Sequence, residues 1–211
     1  DLPLIRYAAA KGKPLIISTG MANAAEMAAA RDAALEAGAA GVVLLHCVSS
    51  YPATFADANV RTVADMAARF DCPIGLSDHT PGSAASVAAV ALGACVIEKH
   101  FTLARSDGGP DPAFSLEPAE FAALVRDCKD GWAALGRAHY DVLGSEKANI
   151  QFRRSLYVTA DVAAGEVLSR ANIRSVRPGA GLPPAELDSV LGRPAARALK
   201  RGEPLKRDMV G

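Results

Sequence analysis

Two histidines at the ends of apolar runs have the clearest chemical potential in this sequence. His79 ends the run "PIGLSDH", and His100 lies in "CVIEKHF". If the two runs are adjacent strands, their ends lie about 4.8 Å apart, and neutral imidazoles are the commonest protein ligands for borderline divalent ions. Two such histidines can share one ion and leave positions for water and substrate oxygens, which suits Lewis-acid chemistry. The alternative is two unrelated histidines, each hydrogen-bonded within a core.

Carboxylates close to both histidines favour the metal interpretation. Asp78 directly precedes His79. Glu98 lies two residues before His100. Because side chains alternate along a strand, Glu98 is expected on the same face as His100, and Lys99 on the opposite face toward the helices. We therefore predict that Glu98 is an acid/base or orienting neighbour of the ion and that Lys99 is a surface or structural residue.

Small hydroxyl residues, a polar loop and one arginine complete the candidate site. Ser18, Ser49 and Ser77 lie at the ends of apolar runs, where hydroxyls beside helix N-termini can donate to oxyanions, although they can equally be ordinary helix caps. The Gly/Pro-rich loop "RSDGGPDPAFSLEP" contributes Asp111, either in a lid over a polar substrate or in a plain connection. Arg177, in "SVRPGAGLPP", is of functional interest only if its module covers the site, since a lone exposed arginine is normally solvated.

The elements that position these residues repeat one theme over residues 1–137. Short, almost continuously apolar runs alternate with alanine-rich helical stretches, which predicts parallel strands covered on both faces. Such βα units build either an open doubly wound sheet or part of a (β/α)₈ barrel. Polar residues fall at the C-terminal end of every run, which favours a barrel mouth over a single switch point. The four runs are "PLIISTG", "GVVLLHC", "PIGLSDH" and "CVIEKHF".

The pattern changes after a polar stretch, residues 138–151, which we predict to be a linker. Residues 152–211 contain short β-like segments, Gly-Glu turns and Pro-rich corners. This combination predicts a small β-rich module. The expected fold is therefore half of a (β/α)₈ barrel, residues 1–137, followed after the linker by the β-rich module.

Composition narrows the classes of function. The 23 basic and 23 acidic side chains balance, so no electrostatic argument favours nucleic acid or a membrane surface as a partner. No apolar run approaches the roughly 18 to 20 residues of a membrane span, and no signal peptide is recognisable. The four cysteines form no C-x-x-C pair, which is typical of free thiols in a reducing cytoplasm.

Eight motifs follow one another along the chain: "KPLIISTGMA", "LLHCVSSYPA", "IGLSDHT", "GACVIEKHFTL", "GGPDPAFSLEP", "RRSLYV", "IRSVRPGAGL" and "LGRPAARALKRGEPL". In this order they resemble the nonulosonate (sialic acid) synthase family. In that family a (β/α)₈ TIM barrel precedes a small antifreeze-protein-like (SAF) domain. The motifs "AFSLEP", "RRSLYV" and "IRSVRPG" are most similar to the pseudaminic acid synthase branch, as is Ser49, where the N-acetylneuraminate branch tends to have Asn.

The resemblance implies condensation of phosphoenolpyruvate with the open-chain aldehyde of a 2-acetamido sugar, with release of phosphate. In the pseudaminic branch the acceptor is 2,4-diacetamido-2,4,6-trideoxy-altrose. A divalent ion, Mn²⁺ or Mg²⁺, would be held by His79 and His100, where it would polarise the aldehyde oxygen and orient a water. The resemblance also implies roles for other residues. Phosphoenolpyruvate would be contacted by Ser18, Ser49 and Ser77, and acceptor-side or acid/base positions would be held by Tyr51, Glu98 and Asp111. Arg177 matches the arginine that, in a domain-swapped homodimer, enters the partner's barrel and reaches the N-acyl group of the sugar.

The chain resembles only the last four of the eight βα units of such a synthase. The absent half would carry lysines that grip the phosphate and a catalytic carboxylate, and half a barrel leaves strand edges unpaired. We therefore expect no phosphate release by this chain alone and turnover by a full-length version. Three alternatives stay open: an N-acetylneuraminate or legionaminate synthase, a non-catalytic carbohydrate-binding protein, and a metal-dependent aldolase that uses free pyruvate.

Overall fold

The computed structural model describes residues 1–211 and divides them into two compact units, Asp1–Arg137 and Ala138–Gly211. The strands of the first unit are β1 (Leu15–Ser18), β2 (Val42–Cys47), β3 (Ile74–Asp78) and β4 (Val96–Lys99). Its α-helices are α1 (Leu2–Ala9), α2 (Ala24–Glu36), α3 (Arg61–Arg69), α4 (Ala84–Ala91) and α5 (Pro118–Leu135). Strands and helices alternate along the chain, as the apolar runs predict.

The strands lie in the order β1-β2-β3-β4, and all three neighbouring pairs are parallel. A doubly wound sheet reverses its strand order at a switch point, whereas this order never reverses. Crossovers of one hand between consecutive strands place the helices on a single face of the sheet. The prediction of half a (β/α)₈ barrel is confirmed, and β1 and β4 are the two edges of the half-barrel.

Local sequence signals begin and end the helices. The Asn23 side chain accepts hydrogen bonds from the backbone N–H groups of Ala25 and Glu26. The Glu26 carboxylate accepts in return from the N–H of Asn23, which completes a capping box at the start of α2. Gly38 and Gly93 have positive φ just after α2 and α4, a conformation that commonly ends a helix.

The core of the first unit lies between the sheet and the helices. Leu44, Ile74 and Leu76 point toward the helices and share a buried cluster with Met66 of α3. On the opposite face the strands approach closely at Gly75, where a Cβ atom would lie 2.4 Å from the carbonyl oxygen of Val96 and 2.5 Å from Leu45 Cδ2. Only glycine fits this position without a shift of β3 from β4.

The second unit has its own sheet and its own core. Strands β5 (Ser155–Val158) and β6 (Ile173–Val176) pair antiparallel, and a short helix α6 (Leu187–Val190) follows them. Residues 138–151, predicted as a linker, are exposed, and a 3₁₀ helix spans Gly144–Phe152. The core consists of buried aliphatic side chains, among them Leu156, Leu168, Leu199 and Leu205.

Two further features of the chain are the state of its cysteines and the hydropathy of its helices. All four cysteines are free thiols in the structure. None of the helices combines the length and the apolar character that crossing a membrane demands.

Candidate active site

The two predicted histidines come together at the C-terminal ends of β3 and β4. The last paired Cα atoms of these strands belong to Asp78 and Lys99, so His79 and His100 are each one residue beyond that pair. Their ring centroids lie 5.1 Å apart at an interplanar angle of 65°. The structure therefore places two imidazoles side by side at one rim of the half-barrel.

The polar contacts of the two rings, a hydrogen bond for His79 and a longer carboxylate contact for His100, are compatible with a shared divalent ion. His79 Nδ1 lies 2.9 Å from the carbonyl oxygen of Val48, so Nδ1 donates its proton and Nε2 keeps its lone pair. His100 Nδ1 lies 3.6 Å from Asp111 Oδ2. A carbonyl or carboxylate behind the second ring nitrogen is the usual support of a metal-binding histidine. No third His, Cys, Asp or Glu completes a metal-binding group, so the remaining ligands of such an ion would be water or substrate oxygens.

Two aromatic side chains cover the histidine pair. The Tyr51 ring lies 4.4 Å from that of His79 and 5.8 Å from that of His100. Phe114 packs edge-on against His100 at 4.9 Å and lies 5.7 Å from Tyr51. Phe114 was not among the predicted site residues, and its only sequence signal is its place in the motif "AFSLEP". Together Tyr51 and Phe114 form an apolar wall beside the imidazoles.

Glu98 and Ser77 occupy the same face of the sheet as the histidines. Ser77 Oγ donates a 2.7 Å hydrogen bond to Glu98 Oε1 across β3 and β4. The alternation predicted for Glu98 and His100 is therefore observed. Glu98 itself is exposed, so its carboxylate is accessible to a bound water or substrate.

The remaining predicted residues lie at different distances from this cluster. Cys47 Sγ is 3.9 Å from both Ser49 Oγ and His79 Nδ1, which places Ser49 next to the pair. Ser18 ends β1 at the outer edge of the sheet, where it is exposed and apart from the cluster. Arg177 belongs to the second unit and is exposed directly after β6.

Asp78 and Lys99 lie together on the helix-facing side of the sheet, the side predicted for Lys99. Asp78 was counted as a carboxylate near the histidines, but alternation along β3 turns it toward the helices, away from Ser77 and His79. There it is paired with Lys99 at 2.8 Å, and each side chain is only 1% exposed. Of the two roles predicted for Lys99, surface or structural, the buried ion pair supports the structural one.

Several donors keep Asp78 ionised in its buried position. Burial disfavours the charged form, but hydrogen bonds from Lys99, Ser86 and Thr80 outweigh it and hold the pKa of Asp78 below its ordinary value. Ser86 Oγ, on α4, donates at 2.6 Å. The ion pair is thus a permanent feature of the first unit at neutral pH.

A network around Arg105 holds the loop that carries Asp111 and Phe114. The Arg105 backbone N–H donates to Glu117 at 2.9 Å, and its Nε donates to the carbonyl of Ser115 at 3.1 Å. Ser115 Oγ in turn donates to the carbonyl oxygen of Asp111 at 2.7 Å. Sequence reasoning missed Arg105, since only long-range contacts reveal its role. The loop is fastened to the start of α5 and keeps Asp111 facing His100.

Comparison with known protein families covers both units of the chain. Residues 1–140 match the model of the NeuB family, and residues 153–211 match the SAF domain. The chain belongs to the NeuB family. Its TIM-barrel portion and its SAF domain follow each other in the order predicted from sequence.

Relatives of this NeuB-family chain are named synthases. A pseudaminic acid synthase of Campylobacter jejuni is 39% identical over 98% of the chain and 60% of that protein. An N,N'-diacetyllegionaminic acid synthase of the same organism is 38% identical over 96% of the chain and 62% of that protein. The chain thus spans about three fifths of the length of these curated relatives.

A solved structure has the same architecture. The N-acetylneuraminic acid (sialic acid) synthetase of Leptospira borgpetersenii, crystallised with citrate, aligns with a TM-score of 0.63 and 37% identity. The alignment covers 71% of the NeuB-family chain and 52% of the Leptospira chain.

Proposed function

We propose that the chain forms part of a synthase that condenses phosphoenolpyruvate with a 2-acetamido sugar aldehyde to give a nonulosonic acid and inorganic phosphate. The observation that supports it most is the adjacent pair of His79 and His100, with Glu98, Tyr51 and Asp111 at the same rim of a NeuB-family half-barrel. The chain has too few βα units for a closed barrel, so the proposal concerns the longer protein that such relatives represent.

The histidine pair would hold the divalent cation, Mn²⁺ or Mg²⁺. The donor set of two imidazoles, one oriented by a carbonyl and the other facing a carboxylate, fits such an ion. When bound, the ion supplies Lewis-acid polarisation of the aldehyde oxygen. The protein's share of the work is to hold the sugar and the enol in contact and to move protons.

The bond changes assign roles to individual residues. C3 of phosphoenolpyruvate forms a bond with the aldehyde carbon, whose oxygen takes up a proton. A water adds to the cationic C2 and loses one proton, which balances the proton gained by the aldehyde oxygen. The bond between C2 and the phosphate oxygen then breaks, and the C2 hydroxyl passes its proton to the departing phosphate to leave the C2 ketone. Glu98, whose carboxylate accepts a hydrogen bond from Ser77, would take the proton from this water. Asp111 and Tyr51 would bind the acceptor sugar.

The phosphoenolpyruvate oxygens would be bound by small hydroxyl residues. Ser77 and Ser49 lie near the histidine pair and are suited to the carboxylate or phosphate of the substrate. Ser18, at the outer edge of the sheet, would contribute only where the barrel is closed. Arg177 would serve a partner's barrel in a domain-swapped homodimer, a role that its exposed position in the second unit permits.

For the acceptor we favour 2,4-diacetamido-2,4,6-trideoxy-altrose, which makes the product pseudaminic acid. The apolar wall of Tyr51 and Phe114 suits a deoxygenated sugar with methyl groups. The motif "AFSLEP" supports the same branch. Legionaminate and N-acetylneuraminate synthases are the alternatives, since relatives of both pseudaminic and legionaminic specificity have nearly equal identity.

A chimaera tests the proposal. The part of the Campylobacter jejuni pseudaminic acid synthase that this chain does not match is joined to residues 1–211, and phosphate release is measured with phosphoenolpyruvate and each acceptor. We expect phosphate release with 2,4-diacetamido-2,4,6-trideoxy-altrose and little phosphate release with N-acetylmannosamine. A preference for N-acetylmannosamine contradicts the pseudaminic assignment. Turnover of free pyruvate, or sugar binding without any release, contradicts the synthase proposal in favour of an aldolase or a binding protein.

A further inference from the structure

A buried ion pair links the two strands that carry the candidate metal ligands. Asp78 directly precedes His79, and Lys99 directly precedes His100. We propose that Asp78 and Lys99 are positioning residues that set the separation of the two imidazoles and thereby the affinity of the site for a divalent cation. The inference rests on the proposed function in one respect, namely that the two histidines share an ion.

Lys99 holds the chain on both sides of His79. Its ammonium group donates to Asp78 Oδ2 at 2.8 Å and to the carbonyl oxygen of Thr80 at 2.5 Å. One side chain of β4 therefore binds the residue before His79 and the residue after it. Because Lys99 is also the neighbour of His100, a shift of β4 relative to β3 that separated the imidazoles would strain these bonds as well.

Asp78 closes the backbone around His79 from the other side. Its Oδ1 accepts from both the N–H and the hydroxyl of Thr80, each at 2.8 Å. Its Oδ2 accepts from Ser86 Oγ on α4, in addition to Lys99. The segment of three residues centred on His79 is thus tied to β4 and to the helix layer at once.

The energetics favour a positioning role over a purely stabilising one. Desolvating two charges is costly, and well-packed apolar residues of similar volume are often as stabilising as a buried ion pair. Apolar contacts lack direction, however, whereas the hydrogen bonds of Asp78 and Lys99 fix particular atoms. What the pair supplies beyond packing is therefore the register between the two strand ends at the histidines.

The experiment compares Mn²⁺ binding by the 211-residue chain and by variants. Paramagnetic broadening of the imidazole ¹⁵N and ring proton signals is followed during a Mn²⁺ titration. The double variant D78N/K99M keeps a hydrogen-bond acceptor at 78 and the volume of the side chain at 99 while it removes both charges, so it avoids the unpaired buried carboxylate of K99M. The control L44A removes buried volume from β2 in the same core without contacting the pair.

In the wild type we expect the His79 and His100 signals to broaden together, with one midpoint, namely the Mn²⁺ concentration that gives half of the full broadening. In D78N/K99M that midpoint should rise about 10- to 100-fold, the usual effect of losing the groups that orient metal ligands. L44A, although less stable, should keep the wild-type midpoint in its folded fraction.

The outcomes separate the two proposals. A folded D78N/K99M chain with its midpoint within about twofold of the wild type overturns the positioning role, as does an equal weakening in L44A, which would indicate general loosening. If the His79 and His100 signals of the wild type do not broaden together, the shared ion of the proposed function is contradicted. The inference about Asp78 and Lys99 then fails as well.

Discussion

Replacing Lys99 with methionine should strongly destabilise the first unit. The side chains of Lys99 and Asp78 are each 1% exposed, so neither charge is screened by solvent. In K99M the Asp78 carboxylate keeps its neutral donors from Ser86 and Thr80 but loses its cation. Removing one partner of a buried pair costs about 3–5 kcal/mol, which is a large part of the 5–15 kcal/mol that stabilises a typical domain.

The double variant D78N/K99M should recover most of this loss. It leaves no uncompensated charge, and replacing both members of a buried pair is often neutral. We expect its free energy of unfolding to lie within about 1 kcal/mol of the wild type. The two variants therefore separate the cost of an orphaned carboxylate from the net value of the pair.

Urea unfolding monitored by Trp132 fluorescence measures these values. Trp132 is the only tryptophan and lies on α5, so it reports on the first unit. K200M provides a matched control, since the Lys200–Asp161 pair of the second unit is exposed and should not affect this transition. If K99M loses less than about 1 kcal/mol, the value of an ordinary exposed pair, the reasoning about a desolvated pair is refuted.

Three further perturbations test other parts of the structure. G75A should lower the stability of the first unit by about 1–3 kcal/mol in the same urea assay, because the new Cβ would lie 2.4 Å from the carbonyl oxygen of Val96; an unchanged midpoint contradicts this contact. L168A should lower the free energy of unfolding of the second unit by about 2–5 kcal/mol, because Leu168 is fully buried; circular dichroism follows this transition. A loss of stability seen only in the Trp132 fluorescence of the first unit would contradict this prediction. The backbone N–H of Arg201 lowers the pKa of Asp161 below 3.8, so its stabilising contribution is present above that pH and lost as the pH falls. D161N should therefore flatten the acid-side loss of stability, and an unaltered pH profile argues against this.

The fold was accessible from sequence because its signals are local. Continuous apolar runs such as residues 42–47 predict buried parallel strands, and polar residues at their C-terminal ends predict a barrel rim. The same alternation put Glu98 and His100 on one face and Lys99 on the other. These inferences need only the neighbours of a residue along the chain.

The features that sequence reasoning missed depend on contacts between distant segments. Asp78 was counted in favour of a metal site because it adjoins His79, although the alternation applied to Lys99 also turns Asp78 away from that site. That Lys99 is buried follows from its bond to β3, 21 residues away in sequence. Arg105 and Phe114 act through a loop whose conformation depends on α5, and no periodicity marks such a loop.

The central claim is that His79 and His100 hold the ion used in a phosphoenolpyruvate condensation. The most direct measurement is phosphate release by the chimaera with the 2,4-diacetamido sugar, compared among the wild type, H79A, H100A and H139A, the last being an exposed histidine of the predicted linker. Lewis-acid polarisation supplies several kcal/mol, so we predict a loss of about 100-fold or more in H79A and H100A and none in H139A. Wild-type release rates in H79A and H100A would contradict the account.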